Sequence, residues 1–206
     1  MDQRGSRSRH DQRPGRGSRQ PRRPASGEER LSRFLAFVLR HHPEEVDLEL
    51  DEHAACDLDR LVEAIQKGPG FGSVTREQIE RLVASGPAAA RFEIKDGRIR
   101  ARYGHSLEQP VAYDPADPPP FLFHGTTPEA AEEVLGEGLK AGQRQRVHLS
   151  VDTPAAREVG CRRCPDPVIL RIDTETAAKA DVRFYRGGPA VWLADDIPPE
   201  CIMRTE

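Results

Sequence analysis

Long apolar segments are absent from this 206-residue sequence, in which 36% of the residues are hydrophobic and only 5% are aromatic. No apolar run reaches the roughly 20 residues of a transmembrane helix, and no signal-peptide core is present. We therefore expect a soluble, intracellular and cytoplasmic protein without a membrane partner. The length suits one large domain or two small ones, and the moderate apolar content predicts small cores.

Cysteine is also scarce, with only Cys56, Cys161, Cys164 and Cys201 in the chain. Without a secretory signal we expect these thiols to be reduced. The stretch "CRRC" has the spacing of metal ligands, but neither a second CxxC nor an HxxxH completes the about four ligands of a zinc site. A zinc or redox module at this pair stays an alternative that metal analysis of the purified protein would test.

Negative charge is scarce at the N-terminus. Residues 1–24 contain eight arginines and two aspartates, a charge of +6 that leaves −9 on the remainder of a chain whose total is −3. A segment this polar cannot bury enough apolar surface to fold, so we predict a disordered Arg-rich arm over 1–28. Such an arm suits either a polyanion such as RNA or solubility alone, and its composition leaves both readings open.

The first ordered segment combines helical and hairpin patterns. Apolar periodicity predicts helices over about 29–41, in "DLDRLVEAIQ" and in "TREQIERLVAS". Two alternating strands then flank Asp96-Gly97, which is a strong hairpin signal. Three helices followed by a hairpin are typical of a winged helix, which we place at 29–106. Because this architecture binds nucleic acid, a non-enzymatic nucleic-acid binder is one hypothesis.

The second half predicts a mixed sheet. Residues 107–120 are rich in proline and acid and indicate a linker. "FLFHGTT" is typical of a buried strand that opens onto a glycine turn, and the helix that follows should stop at Gly138. "RVHLS", "PVILRID" and "AVWLADDIP" are short β-rich runs. The fold class is therefore α+β, with a second lobe over 121–206 that lacks a Rossmann fingerprint or a P-loop.

Four basic residues are candidates for binding phosphate. Arg40 and His41 end the first predicted helix, Arg91 starts the wing strand, and Arg144 precedes "VHLS" after a turn at Gly142. Arginine forks bind phosphate oxygens through two parallel hydrogen bonds, so three arginines around one point would suit a phosphate monoester. Cations are also common at helix C-termini for purely structural reasons, and spacing alone does not bring these residues together.

Two histidines stand in similar surroundings in the second half. His124 precedes Gly125 and Thr126, and His148 is followed two residues later by Ser150. The N–H groups of these histidines, with the neighbouring hydroxyls, suit the ribose hydroxyls of a dinucleotide. A buried histidine satisfied by backbone groups is the alternative for each.

Four stretches together resemble the NAD-dependent RNA 2′-phosphotransferase family, in order from about residue 31 to residue 202. They are "LSRFLAFVLRHHPE", "ARFEI…RIRARYGHS", "FHGTT…GLKAGQRQRVHLS" and "FYRGGPAVWLADDIPPECI". The resemblance implies a winged-helix lobe that binds RNA and an ADP-ribosyltransferase-like lobe that binds NAD+. The implied substrate is RNA bearing an internal 2′-phosphate, as at a tRNA splice junction. Transfer to NAD+ would pass through a 2′-phospho-ADP-ribosylated RNA and release nicotinamide and ADP-ribose 1″,2″-cyclic phosphate.

The resemblance also implies roles for individual residues. The catalytic positions of the family fall on Arg40, His41, Arg91 and Arg144. The positions that line the NAD+ site fall on His124, Gly125, Thr126, His148 and Ser150. With NAD+ as co-substrate and arginines supplying the positive charge, no metal is expected, and we expect a monomer. A one-step ADP-ribosyltransferase acting on nucleic-acid terminal phosphates is the second enzymatic alternative.

Two departures from the family pattern concern the same region. The family usually has a histidine at the position of Arg146, and it tends to read "NQGHS" where this chain has Arg102 and Tyr103 before "GHS". Arg98, Arg100 and Arg102 alternate along one predicted strand and should share a face. That face suits either RNA phosphates or a solvated strand edge.

Overall fold

The computed structural model describes residues 26–205 and shows a mixed α+β protein with two antiparallel sheets. Most of the predicted arm, residues 1–25, therefore lies outside the described residues. Ser26 caps the first helix, which already includes Gly27 and Glu28. In the part of the chain that is described, no helix combines the length and the apolarity needed to cross a bilayer.

The first sheet is packed against the N-terminal helices. The helices are α1 (Gly27–Arg40), α2 (Leu58–Gln66), α3 (Arg76–Ala84) and the short α4 (Gly86–Ala89). The strands are β1 (Ala55–Asp57), β2 (Phe92–Lys95) and β3 (Arg98–Ala101), in the order β1-β3-β2. The three predicted helices and the hairpin are thus confirmed. The four-residue helix α4 and the three-residue strand β1 are too short to produce a periodic pattern, and the prediction missed them.

Local sequence signals explain these boundaries. The Ser26 hydroxyl accepts a hydrogen bond from the Glu29 N–H at 3.2 Å, which starts α1 two residues before the predicted position. Thr75 and Gln78 form a complete capping box at the start of α3. The hairpin turn places Asp96 at φ 51° and Gly97 at φ 74°, the pair of positive values that a type I′ turn requires.

The second sheet has six strands in the order β7-β8-β5-β4-β6-β9. Its strands are β4 (Phe121–Thr126), β5 (Val147–Ser150), β6 (Val168–Asp173), β7 (Phe184–Arg186), β8 (Val191–Ala194) and β9 (Ile202–Arg204). The helices around it are α5 (Pro128–Glu137), α6 (Thr153–Gly160) and α7 (Thr174–Lys179). The predicted short strands are confirmed, and Gly138 ends α5 at φ 87° as expected. Buried hydrophobic side chains form two clusters, one drawn from residues 31–101 and one from 122–202.

The predicted glycine turn after the strand "FLFHGTT" is wrong at Gly125. It does not open a turn but lies inside β4, opposite Ile169 of β6. A Cβ atom at Gly125 would lie 2.0 Å from the backbone oxygen of Ala156 in α6. The missing side chain therefore lets α6 pack directly on the strand that carries His124.

His105 connects the two parts of the molecule. It follows β3, is only 2% exposed, and its Nδ1 atom lies 2.8 Å from the Tyr113 hydroxyl. The Tyr113 ring in turn packs 6.0 Å from the ring of Tyr185 in β7. Burial, reinforced by the positive charge of Arg40, lowers the pKa of His105 to about 4. His105 is therefore neutral at physiological pH.

We expect opposite effects on stability from two glycine substitutions, one at the contact between α6 and β4 and one in α5. Gly125→Ala forces a methyl group onto a backbone oxygen and should lower the free energy of unfolding by about 1–3 kcal/mol or more. Gly136→Ala is the control, because that helical glycine has open space around it and alanine should stabilise α5 by up to about 1 kcal/mol. Urea denaturation of both variants measures the difference. Equal stability of the Gly125→Ala variant and the wild type would contradict the close approach.

Because the pKa of His105 is lowered, we expect the protein to lose stability in mild acid. The unfolded histidine takes up a proton near pH 6.5, whereas the folded one does so only near pH 4. The free energy of unfolding should therefore fall as the pH drops from 6.5 to 4, by about 3 kcal/mol from this residue. Denaturation curves of the wild type and His105→Gln at several pH values test this. The variant should show a shallower dependence, and identical slopes would contradict the assignment.

Candidate active site

Arg40 and His41 lie where α1 ends, and one segment after β3 wraps around both. The Arg40 Cζ atom is 5.0 Å from the centre of the Tyr103 ring and 6.0 Å from that of Phe92. The Ser106 N–H donates to the Arg40 carbonyl at 3.0 Å, and the Ser106 hydroxyl lies 2.7 Å from His41 Nδ1. The tertiary fold, and not only the helix end, therefore fixes both side chains.

Among residues 26–205, no carboxylate pairs with the largely buried guanidinium of Arg40. Its Nε and Nη2 atoms are buried and have no hydrogen-bond partner within residues 26–205. Burial lowers the pKa of Arg40, and the positive charges of Arg91 and Arg144 lower it further. Arg91 and Arg144 are therefore each close enough to Arg40 for their charges to act on it. Such a cluster, with free donors on one member, is organised to bind an anion.

Arg91 and Arg144 approach Arg40 from different elements. Arg91 lies one residue before β2, not at its start, and its carbonyl accepts a hydrogen bond from the Arg102 N–H at 2.8 Å. Arg144 lies in the loop before β5, just after Gly142 at φ 64°. Arg144 as a whole is exposed. Its guanidinium nevertheless has a lowered pKa, mainly because it is partly removed from water and also because of the positive charge of Arg163.

His124 and His148 lie on the neighbouring strands β4 and β5. His124 Nδ1 donates to the His148 carbonyl at 3.0 Å, and His148 Nδ1 donates to the Arg146 carbonyl at 3.0 Å. Because a carbonyl only accepts, each Nδ1 carries the hydrogen, and each neutral ring presents Nε2 as an acceptor. Burial and the charge of Arg144 lower the pKa of His148 to about 3.

This geometry corrects the predicted use of the histidine N–H groups. Both N–H groups are bound to backbone carbonyls, so the rings offer acceptors for hydroxyl groups instead of donors. The His148 Nε2 atom is buried and has no partner in the described part of the chain. Thr126 and Ser150 each follow one of the two histidines by two positions in the sequence. Both are buried, with exposures of 4% and 7%.

Arg163 is a member of the arginine cluster that the sequence analysis missed. It lies in "CRRC", just after α6, and its charge lowers the pKa of both Arg144 and His124. The cysteine spacing drew attention to metal binding, and no local pattern indicates that α6 carries this turn to the site. Across residues 26–205, no three His, Cys, Asp or Glu side chains gather as metal ligands would.

Three neighbouring arginines are paired with carboxylates, and two of them share one carboxylate. Arg98 pairs with Asp51 at 2.7 Å, and Arg100 and Arg102 pair with Glu93 at 2.7 Å and 3.1 Å. Arg98 and Arg100 lie on β3, the central strand of the sheet, and Arg102 follows it directly; all three are in ion pairs, in contrast to Arg40.

Arg146, the departure next to His148, is also paired. Its Nη1 atom lies 3.2 Å from an Asp195 carboxylate oxygen, and its Cζ atom lies 5.0 Å from the centre of the Tyr185 ring. The extra positive charge at this position is therefore directed towards Asp195.

An acidic cleft of about 820 Å³ opens beside His41 and Ser106. Its carboxylates come from Glu44, Glu49, Asp51, Glu52 and Glu108. These groups repel phosphate, whereas the arginine cluster attracts it. The contrast favours an anion on the Arg40 side of His41 over one in the acidic cleft.

Comparison with known proteins shows the family. Residues 26–196 match the family described as "RNA 2′-phosphotransferase, Tpt1 / KptA family". The chain is similar to proteins named "Probable RNA 2′-phosphotransferase" from Bacillus thuringiensis subsp. konkukian, Thermococcus kodakarensis and Agrobacterium fabrum, with identities of 37%, 38% and 40%. The aligned regions cover 84%, 84% and 81% of this chain and 92%, 94% and 89% of those relatives. The chain that carries this arginine cluster therefore belongs to the RNA 2′-phosphotransferase family.

Proposed function

We propose that this enzyme removes an internal 2′-phosphate from RNA and transfers it to NAD+. In this proposal, residues 29–106 are a winged-helix lobe that binds RNA, and residues 121–206 are an ADP-ribosyltransferase-like lobe that binds NAD+. The expected substrate is RNA of the tRNA splice-junction type, and the enzyme acts as a cytoplasmic monomer. The observation that carries the proposal is the buried, unpaired Arg40 beside Arg91 and Arg144.

The two histidines support an NAD+ site. The buried, unpartnered His148 Nε2 is an acceptor for a ribose hydroxyl, and His124 presents the same atom on the adjacent strand. Thr126 and Ser150 add hydroxyl groups close to them in sequence. NAD+ would supply the anomeric carbon that accepts the phosphate and the ribose hydroxyl that then displaces the RNA, so that nicotinamide and ADP-ribose 1″,2″-cyclic phosphate leave.

The arginines would stabilise the transferred phosphate. Negative charge builds on the equatorial oxygens of a phosphoryl group in transfer, and fixed guanidinium groups stabilise it without reorganising. The free Nε and Nη2 donors of Arg40 can form the parallel pair of hydrogen bonds that phosphate accepts. Arg91 and Arg144 add positive charge from two other elements, which raises the preference of the site for a dianion.

His41 would move a proton to or from a ribose oxygen. Burial lowers its pKa, with further lowering by the positive charges of Arg40, His42 and Arg144. The ring is therefore neutral at physiological pH and has one N–H group. Because Nδ1 is hydrogen-bonded to Ser106, the Nε2 atom is the one left to exchange a proton with the substrate.

Product analysis with NAD+ and a short RNA carrying one internal 2′-phosphate tests the proposal. The wild type should release nicotinamide and ADP-ribose 1″,2″-cyclic phosphate, and leave a 2′-hydroxyl on the RNA. Substitution of Arg40, His41, Arg91 or Arg144 by alanine should reduce turnover by at least about a hundredfold with the fold intact. An RNA left carrying ADP-ribose would favour the one-step transferase, and salt-dependent RNA binding without NAD+ consumption would favour the binder.

Ser106→Ala tests the orientation of His41. Loss of one hydrogen bond worth about 0.5–1.5 kcal/mol should lower kcat roughly two- to twelvefold, while Ser106→Thr, which keeps the hydroxyl, should stay near the wild-type rate. Pre-steady-state measurement of phosphate removal gives the comparison. An alanine variant as fast as the wild type would show that the contact does not orient His41.

A further inference from the structure

Tyr103 joins the arginine cluster to the second sheet. The face of its ring lies 5.0 Å from Arg40 Cζ, and its ring meets the His148 ring edge-on at 5.8 Å with an interplanar angle of 69°. A Cβ atom at Gly188, just before β8, would lie 3.8 Å from the Tyr103 ring. Although it belongs to the segment after β3, Tyr103 therefore reaches both β5 and the loop before β8.

The Tyr103 ring stabilises the charge of Arg40 without occupying its N–H donors, which a carboxylate would do. Arg40 has no salt bridge within residues 26–205, whereas Arg98, Arg100 and Arg102 all have one. A carboxylate beside Arg40 would occupy the N–H donors and compete with phosphate. An aromatic face attracts a cation through its quadrupole and leaves the donors at the edge of the guanidinium free.

Neighbouring groups restrict the orientation of Arg40. Phe92 lies 6.0 Å from Cζ, farther than Tyr103, and a Cβ atom at Gly104 would lie 3.4 Å from Nη1. Tyr103 is only partly buried, whereas Phe92 is fully buried. Of the two rings near Arg40, that of Tyr103 is therefore the one with an exposed surface. Nε and Nη2 remain without partners in the described residues.

We propose that Tyr103 is the positioning residue of Arg40. Its ring holds the guanidinium in the orientation that binds phosphate and stabilises the charge before the substrate arrives. The inference rests on the proposed function for the identity of the phosphate, but the contact itself does not depend on turnover. It assigns the ring face, and not the hydroxyl group, as the active part of Tyr103.

Steady-state kinetics of phosphate removal test this with matched variants. Tyr103→Leu should lower kcat about two- to thirtyfold, the span between exposed and desolvated cation–π contacts, with the KM for NAD+ and the melting temperature nearly unchanged. Tyr103→Phe keeps the ring and should stay within about twofold of the wild type. Phe121→Leu is the control, because it removes a cation–π contact of 4.6 Å to Arg171 on an exposed surface and should leave kcat unchanged.

Three outcomes would overturn the inference. A Tyr103→Leu variant with the wild-type kcat would show that the ring does not act on Arg40. A fall in Tyr103→Phe as large as that in Tyr103→Leu would assign the hydroxyl instead. A change confined to the KM for NAD+ would likewise overturn it, because Tyr103 would then act through His148.

Calorimetric titration with inorganic phosphate separates this inference from the proposed function. The wild type should bind phosphate, Tyr103→Leu should bind it about two- to thirtyfold more weakly, and Tyr103→Phe should bind as the wild type does. If the wild type bound phosphate in this pattern but removed none from RNA, the proposed function would fail and the role of Tyr103 would stand. Equal phosphate affinity of all three proteins would overturn the role of Tyr103.

Discussion

The site depends on one constraint: the guanidinium of Arg40 is largely buried and has no carboxylate partner in the described part of the chain. Removing a charge from water is costly, and the positive charges of Arg91 and Arg144 add repulsion to that cost at Arg40. The fold tolerates this because aromatic faces contact the guanidinium and because the rest of each core supplies stability. Under the proposed function the same cost is useful, because a bound phosphate would offset both the lost hydration and the repulsion.

The segment from Tyr103 to Ser106 supports the site from one short piece of backbone. Tyr103 contacts the Arg40 guanidinium, Ser106 contacts both the Arg40 carbonyl and the His41 ring, and His105 anchors the segment in the interior through Tyr113. Since His105 is neutral and buried, this anchor adds no charge to a region that already holds several cations. The candidate site therefore lies where the first sheet meets the second, and elements of both contribute residues to it.

The sequence predicted the elements better than their mutual arrangement. Helices α1 to α3, the hairpin and the strand carrying His148 were predictable because capping residues, apolar periodicity and turn glycines act locally. The position of Gly125 inside a strand was not predictable, because it depends on the close approach of Ala156 from another element. Arg163 was missed for the same reason, and the predicted histidine donors proved to be acceptors because backbone carbonyls occupy their N–H groups.

The sequence by itself determined the α+β class, the ends of the main helices and the identity of the candidate residues, including Arg40, His41, Arg91 and Arg144. These follow from neighbours within a few positions and from ordered motifs. Only the tertiary structure decided that Arg91 and Arg144 lie near Arg40, that Arg40 lacks a carboxylate in the described chain, and that Tyr103 lies against it. Burial and charge repulsion depend on distances between segments far apart in the chain, and no local pattern in the sequence encodes those distances.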